Sequence, residues 1–226
     1  MNETSPIDKK YLEPTKYVDS DHPAIIKKAE EIVEGLNNDK DKAVALYYYV
    51  RDSIRYNPYE IDLSEEALKA STVFKRGYGF CVEKANLLAA FARSQGIPAR
   101  FGFADVKNHL SSPRLIKALR SEVFAFHGYT ELFINGKWVK ATPAFNRELC
   151  VILNVKPLEF NGEEDSIFQE FDSDGKAFMV YLKDHGIFHD IPRAYMIEVL
   201  QKHYPHLFTS GKISFSETGD QYFFKT

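Results

Sequence analysis

Cysteine is scarce: the 226 residues hold two, Cys81 and Cys150. Two thiols make no disulfide framework for a chain this size, and neither stands in a C-x-x-C pair or at zinc-ligand spacing with histidine. The expectation is free thiols, a reducing cytoplasm and no metal. Long apolar runs are missing too. None approaches the ~20 residues of a bilayer-spanning helix, so no membrane partner is expected. The opening stretch "MNETSPIDKKYLEPTKYVDSDHP" shows no apolar segment of the secretory-signal kind. Charge of one sign is also lacking, because 29 Lys and Arg against 32 Asp and Glu leave a net charge of −3. That balance offers no general field for nucleic acid. There is no repeat, low-complexity tract or linker to divide the chain.

What is present is apolar. Hydrophobic residues make up 44% of the chain, with 18 Phe and 13 Tyr, enough to fill the core of one domain. "SDHPAIIKKAEEIVEGLNN" predicts a helix capped by Asp21 or His22, with Pro23 in its first turn and Gly35 near its end. "DKDKAVALYYYVRDSIRYNP" predicts a second, stopped by Asn57-Pro58. "DLSEEALKASTVFKRG" predicts a third, with Asp62 and Glu65 at capping-box spacing. From Cys81 to Gln95 the chain is small and apolar nearly all round, as in a central buried helix. Gly96 and Pro98 end it, and "PARFGFADV" reads as a strand.

Residues 107–121 read as a loop and short helix. Their basic residues form either a solvated face or a flap beside a cleft. "FAFHGYTELFINGKWVKATPAFN" is a hairpin about a type I′ turn at Asn135-Gly136. "FDSDGKAFMVYLKD" suggests a second hairpin, with "DSDG" a turn rather than a calcium loop. "IPRAYMIEVLQKHYPHLF" suggests a last helix stopped by Pro205.

The chemistry gathers at "GYGFC". A thiol at a helix N-terminus meets unpaired N–H groups and the positive end of the helix dipole, both of which favour thiolate. The Cys81 N–H is itself a candidate oxyanion donor. Extending the hairpin register sets His127 opposite Ala144, with Thr142 and Asn146 on the same face to orient its ring. Cysteine, histidine and a polar orienter then follow in the chain order of papain-like enzymes. Tyr78, Gly79 and Trp138 are candidate substrate-binding residues. Cys150 reads as packing, Glu131 as a paired strand residue, and the other six histidines as surface or capping residues.

"CVEKANLLAAFARSQGIPAR" closely resembles the cysteine motif of transglutaminase-like domains, including Arg93, Gly96, Ile97, Pro98, Ala99 and Arg100. "HGYTELFINGKWVKATP" resembles their second motif through His127, Glu131, Trp138 and Pro143. The resemblance spans about residues 41–146. It implies an α+β, papain-like fold with the nucleophile helix packed on an antiparallel sheet and helices on the N-terminal side. Residues 1–226 then form a single domain of this core, an N-terminal helix and a C-terminal extension at 150–226. It further implies a cysteine-type hydrolase in which Cys81 attacks a peptide or protein amide, His127 is base and then acid, and no cofactor takes part. One position departs: the family's usual Asp before Pro is Thr142 here. Either Asn146 substitutes, or the site is weakened, or the domain is a silent binding module. An acyltransferase or deglycosylating amidase on the same site is the other alternative.

Overall fold

A computed structural model describes residues 7–108, 113–167, 179–209 and 212–213. The first helix, α1 (Pro23–Ile32), starts where His22 Nδ1 accepts the Ala24 N–H, and Pro23 fills a position that needs no donor. In α2 (Asp39–Ser53), Asn38 Oδ1 caps the Asp41 N–H at 2.9 Å, and Asp39 and Asp41 complement the dipole. A two-residue strand, β1 (Arg55–Tyr56), precedes Asn57-Pro58. The third helix is shorter than its capping-box spacing predicts. Asp62 accepts the Ser64 N–H at 2.8 Å in a local turn, so α3 runs only over Ala70–Arg76. Gly77, at φ +75°, closes it and releases the chain into β2 (Tyr78–Gly79), which pairs in parallel with β1.

Next comes α4 (Cys81–Ser94), in which every residue but the last is buried. It contacts α1, α2 and α3 as well as β3 (Ala99–Asn108) and β4 (Val123–Ile134), so it lies between the helices and the sheet. Its polar residues are not misplaced, because each holds a neighbouring segment. Asn86 Nδ2 donates to Tyr17 O and Leu68 O, Lys84 Nζ to Arg51 O, and Arg93 to Glu13 O and Ala99 O.

The sheet is antiparallel, ordered β5 (Lys137–Ala141), β4, β3, β6 (Met179–Phe188). Asn135 and Gly136 both have positive φ, as a type I′ turn requires. The observed pairs run from Ile134–Lys137 to Thr130–Ala141, the register read from the sequence. The turn expected at Asp174-Gly175 lies outside the described residues; β6 itself pairs with β3. Two short helices, α5 (Pro113–Leu119) and α6 (Arg147–Ile152), follow β3 and β5. The final helix, α7 (Arg193–His203), contacts β4 and leads into a 3₁₀ turn at Pro205–Leu207. One hydrophobic cluster includes residues from Tyr17 to Leu207. The molecule is thus α+β, with helix α4 packed on an antiparallel sheet.

Candidate functional site

The first turn of α4 is built around a buried carboxylate. Glu83 Oε2 accepts the Phe80 N–H at 3.1 Å and lies 2.8 Å from Arg76 Nη2. Burial outweighs Arg76 and pushes the Glu83 carboxyl up from 4.5 to about 7. Gly79 leaves room for that carboxylate. A Cβ at this position would lie 2.9 Å from Glu83 Oε2 and 3.0 Å from its Cβ. The cap sets where the helix begins, and therefore where Cys81 stands.

Strand β4 meets this turn at Gly128. A Cβ there would come within 3.1 Å of Val82 Cα and 3.2 Å of Phe103 Cε1, so only glycine lets helix and strand approach so closely. The closeness sets the Gly128 N–H, like those of Val82 and Cys81 itself, near enough to the Cys81 sulfur to favour the thiolate. His127, the residue before Gly128, pairs with Ala104 of β3. Just upstream, β4 carries a bulge in which Phe126 takes φ +60°. That uncommon conformation is held by Asp105, whose Oδ1 accepts the Phe126 N–H at 2.9 Å. The same oxygen lies 2.7 Å from His185 Nε2, and His185 Nδ1 lies 2.8 Å from the Tyr195 hydroxyl. The His185 side chain is fully buried, contrary to the surface or capping role expected for it. Nothing in its local sequence marks the pair, because the partners are 80 residues apart.

Cys81 and His127 line one pocket, a cleft with a cavity volume of about 60 Å³ that opens to solvent. Tyr56, Pro58 and Ile61 form part of its wall, Leu115 and Leu119 of α5 another part. Met196 and Leu200 of α7, with Tyr204 and Leu207 beyond it, line the rest together with Phe80 and residues 124–126. Of the 107–121 stretch, Leu115 and Leu119 border the cleft.

The helix start does favour thiolate, but burial works against it. Burial dominates over the three N–H groups and pushes the Cys81 thiol up to about 11, while burial alone pulls His127 down to about 4. Both shifts favour the uncharged forms, a thiol and a neutral imidazole, on the walls of the same pocket.

The remaining sequence candidates stand elsewhere. The β4–β5 ladder stops at Ala141, so the register does not extend to a His127–Ala144 pair. Instead the Thr142 N–H donates to Ser166 O at 2.9 Å, which draws the chain out of the hairpin. The Thr142 hydroxyl is buried and has no hydrogen-bond partner among the described residues. Asn146 Oδ1 accepts the Tyr56 N–H at 3.2 Å and Nδ2 donates to Glu148 at 2.7 Å, so its amide steadies a wall residue of the pocket. Tyr78 and Trp138, expected to bind substrate, do not line the pocket. The Tyr78 hydroxyl donates to Glu60, and its ring lies under Arg76. Trp138 packs edge-on against Tyr11 and Phe133, and Arg100 lies 3.9 Å over its ring while bonded to Glu131. Cys150 is fully buried, as a packing residue should be. Among the described residues no group of three or more His, Cys, Asp or Glu is placed to hold a metal ion, and no helix is long and apolar enough to cross a membrane.

No curated protein matches the chain. Among solved structures it is similar to a "putative cysteine protease" from Cytophaga hutchinsonii, at 19% identity and a TM-score of 0.48, covering 78% of this chain and 52% of that one. It is also similar to a "putative protease" from Parabacteroides distasonis, at 17% identity and a TM-score of 0.38, covering 60% of this chain and 25% of that one. The chain thus spans about half the length of the first and a quarter of the second. The family model of the transglutaminase-like superfamily matches residues 26–143, just over half of the 226 residues and the segment that holds both Cys81 and His127. The chain belongs to the transglutaminase-like superfamily.

Proposed function

We propose that the protein is a cysteine-type hydrolase that cleaves a peptide or protein amide through a thioester on Cys81. The supporting observation is that Cys81, at the start of α4, and His127, on β4, line a single pocket. With both groups neutral at rest, His127 acts as a general base rather than as half of a preformed ion pair. It takes the thiol proton as sulfur bonds to the carbonyl carbon, and backbone N–H groups around the sulfur receive the developing oxyanion. The C–N bond then breaks, and the amine leaves with the proton from His127. Water attacks the thioester and loses a proton to His127. The C–S bond breaks, and that proton returns to the sulfur as the acid departs. No orienter of His127 is assigned: the Thr142 hydroxyl has no hydrogen-bond partner among the described residues, and both ends of the Asn146 amide are engaged elsewhere.

The mechanism requires neutral imidazole and intact thiol. Rate should therefore be lost only as pH falls toward about 4 or rises toward about 11. A panel of fluorogenic peptide amides tests the reading. Turnover should be broad in pH and should fall at least ~100-fold in Cys81→Ala and in His127→Ala. Absence of turnover, together with Cys81 alkylation by iodoacetamide that ignores His127→Ala, would sink it. The second reading, a binding domain without turnover, would then stand. One observation favours that reading: the His127 imidazole makes no hydrogen bond among the described residues.

A further inference from the structure

The pocket is apolar well beyond what a thiol and an imidazole need. None of its fifteen lining residues carries a formal charge while His127 is neutral. The Tyr204 hydroxyl is already engaged, donating to Val123 O at 2.6 Å and accepting the Ala125 N–H at 2.7 Å. A charged or strongly polar substituent entering here would lose its hydration and find no partner. Leu115 and Leu119 of α5, Met196 and Leu200 of α7, and Leu207 instead offer hydrocarbon on the walls around the sulfur. The cleft opens to solvent, so an apolar group can reach these walls from outside. Because Cys81 is itself part of the wall, whatever fills the pocket is attached close to the carbonyl under attack.

We infer that the substrate carries a bulky apolar group, alkyl or aromatic, within a few bonds of the scissile carbonyl, and that α5 and α7 select for it. This rests on Cys81 being the nucleophile. Selection and nucleophile can be tested apart with N-substituted chloroacetamides, in which the thiol displaces chloride, a C–S bond replaces the C–Cl bond and the thiol proton passes to solvent. The substituents are hydrogen, methyl, butyl, benzyl, 2-aminoethyl and carboxymethyl. Cys81 modification is followed by peptide mass spectrometry, and each rate is divided by that of glutathione with the same reagent.

The butyl and benzyl reagents should react about tenfold or more faster than the unsubstituted and charged ones, since each buried methylene favours the complex about fourfold. Leu200→Trp, which fills the pocket, should bring that ratio toward one. Leu119→Ala, which widens it, should move the preference toward the larger reagent. A flat series in the wild type, or a preference for a charged reagent, overturns the inference and leaves Cys81 as nucleophile. Failure of every reagent to modify Cys81 overturns both.

Discussion

Glycine at position 128 decides how closely β4 approaches the first turn of α4. Its neighbours on the helix side are backbone and a branched side chain, Val82 Cα and Val82 Cγ2, which have little freedom to yield. Gly128→Ala should push β4 off the first turn of α4. The overpacking should cost on the order of 1–3 kcal/mol, visible as a lower Tm. It should also withdraw the Gly128 N–H from the Cys81 sulfur, so that the thiol titrates even higher than about 11. Alkylation of Cys81 across pH 8–11 then shifts to the alkaline side, whereas Cys150 keeps its own profile. An unchanged Cys81 profile with a lowered Tm would make Gly128 a packing residue alone. The sequence does carry a signal for it, a glycine within a strand directly after the candidate histidine.

At the scale of elements, α4 and β4 bring two buried groups of opposite pH behaviour together. Glu83, raised from 4.5 to about 7, still holds its proton in the folded protein where the unfolded chain has lost it. Its contribution to stability is full below about 4.5 and is lost as pH rises to about 7. His127, lowered from 6.5 to about 4, behaves inversely: its contribution is full above about 6.5 and is lost as pH falls through about 4. Each amounts to roughly 3 kcal/mol, and between pH 4.5 and 6.5 they nearly cancel. Single substitutions should expose the opposing slopes. In Glu83→Gln the Tm should fall as the solution is acidified across that window, and in His127→Asn it should rise. Thermal melts at intervals through the window check both; two variants with parallel slopes would refute the assignment. The elements themselves were legible wherever a local signal was complete, as in the His22-Pro23 start, the Asn135-Gly136 turn and the apolar run after Cys81. The third helix was misjudged because Asp62 has two local uses, a helix cap and a tight turn, and the turn won.

Across the whole molecule, the two residues proposed to react were legible as candidates in the sequence and the walls around them were not. Cys81 and His127 each sit in a local motif, but the walls of their pocket come from positions as far apart as Tyr56 and Leu207. The orienters failed as a geometric deduction because the register was extended past Ala141, where Ser166 captures the strand's continuation. The C-terminal extension had no evident task in the sequence, yet α7 and the turn after it close the cleft. Tyr204 fastens them there. Its hydroxyl bonds both Val123 O and Ala125 N, two residues short of His127. Tyr204→Phe keeps the ring and removes both bonds, leaving the buried Ala125 N–H without this acceptor. Such a loss costs about 1–3 kcal/mol, so the Tm should drop. The sharper readout is local, with amide hydrogen exchange accelerating at Ala125 and along α7 more than in α1 or α2. If the extension is a built wall of the site, the same variant also loses the preference of Cys81 for apolar electrophiles. Faster exchange spread evenly over the chain, with that preference intact, would mean that Tyr204 stabilises the fold without shaping the pocket.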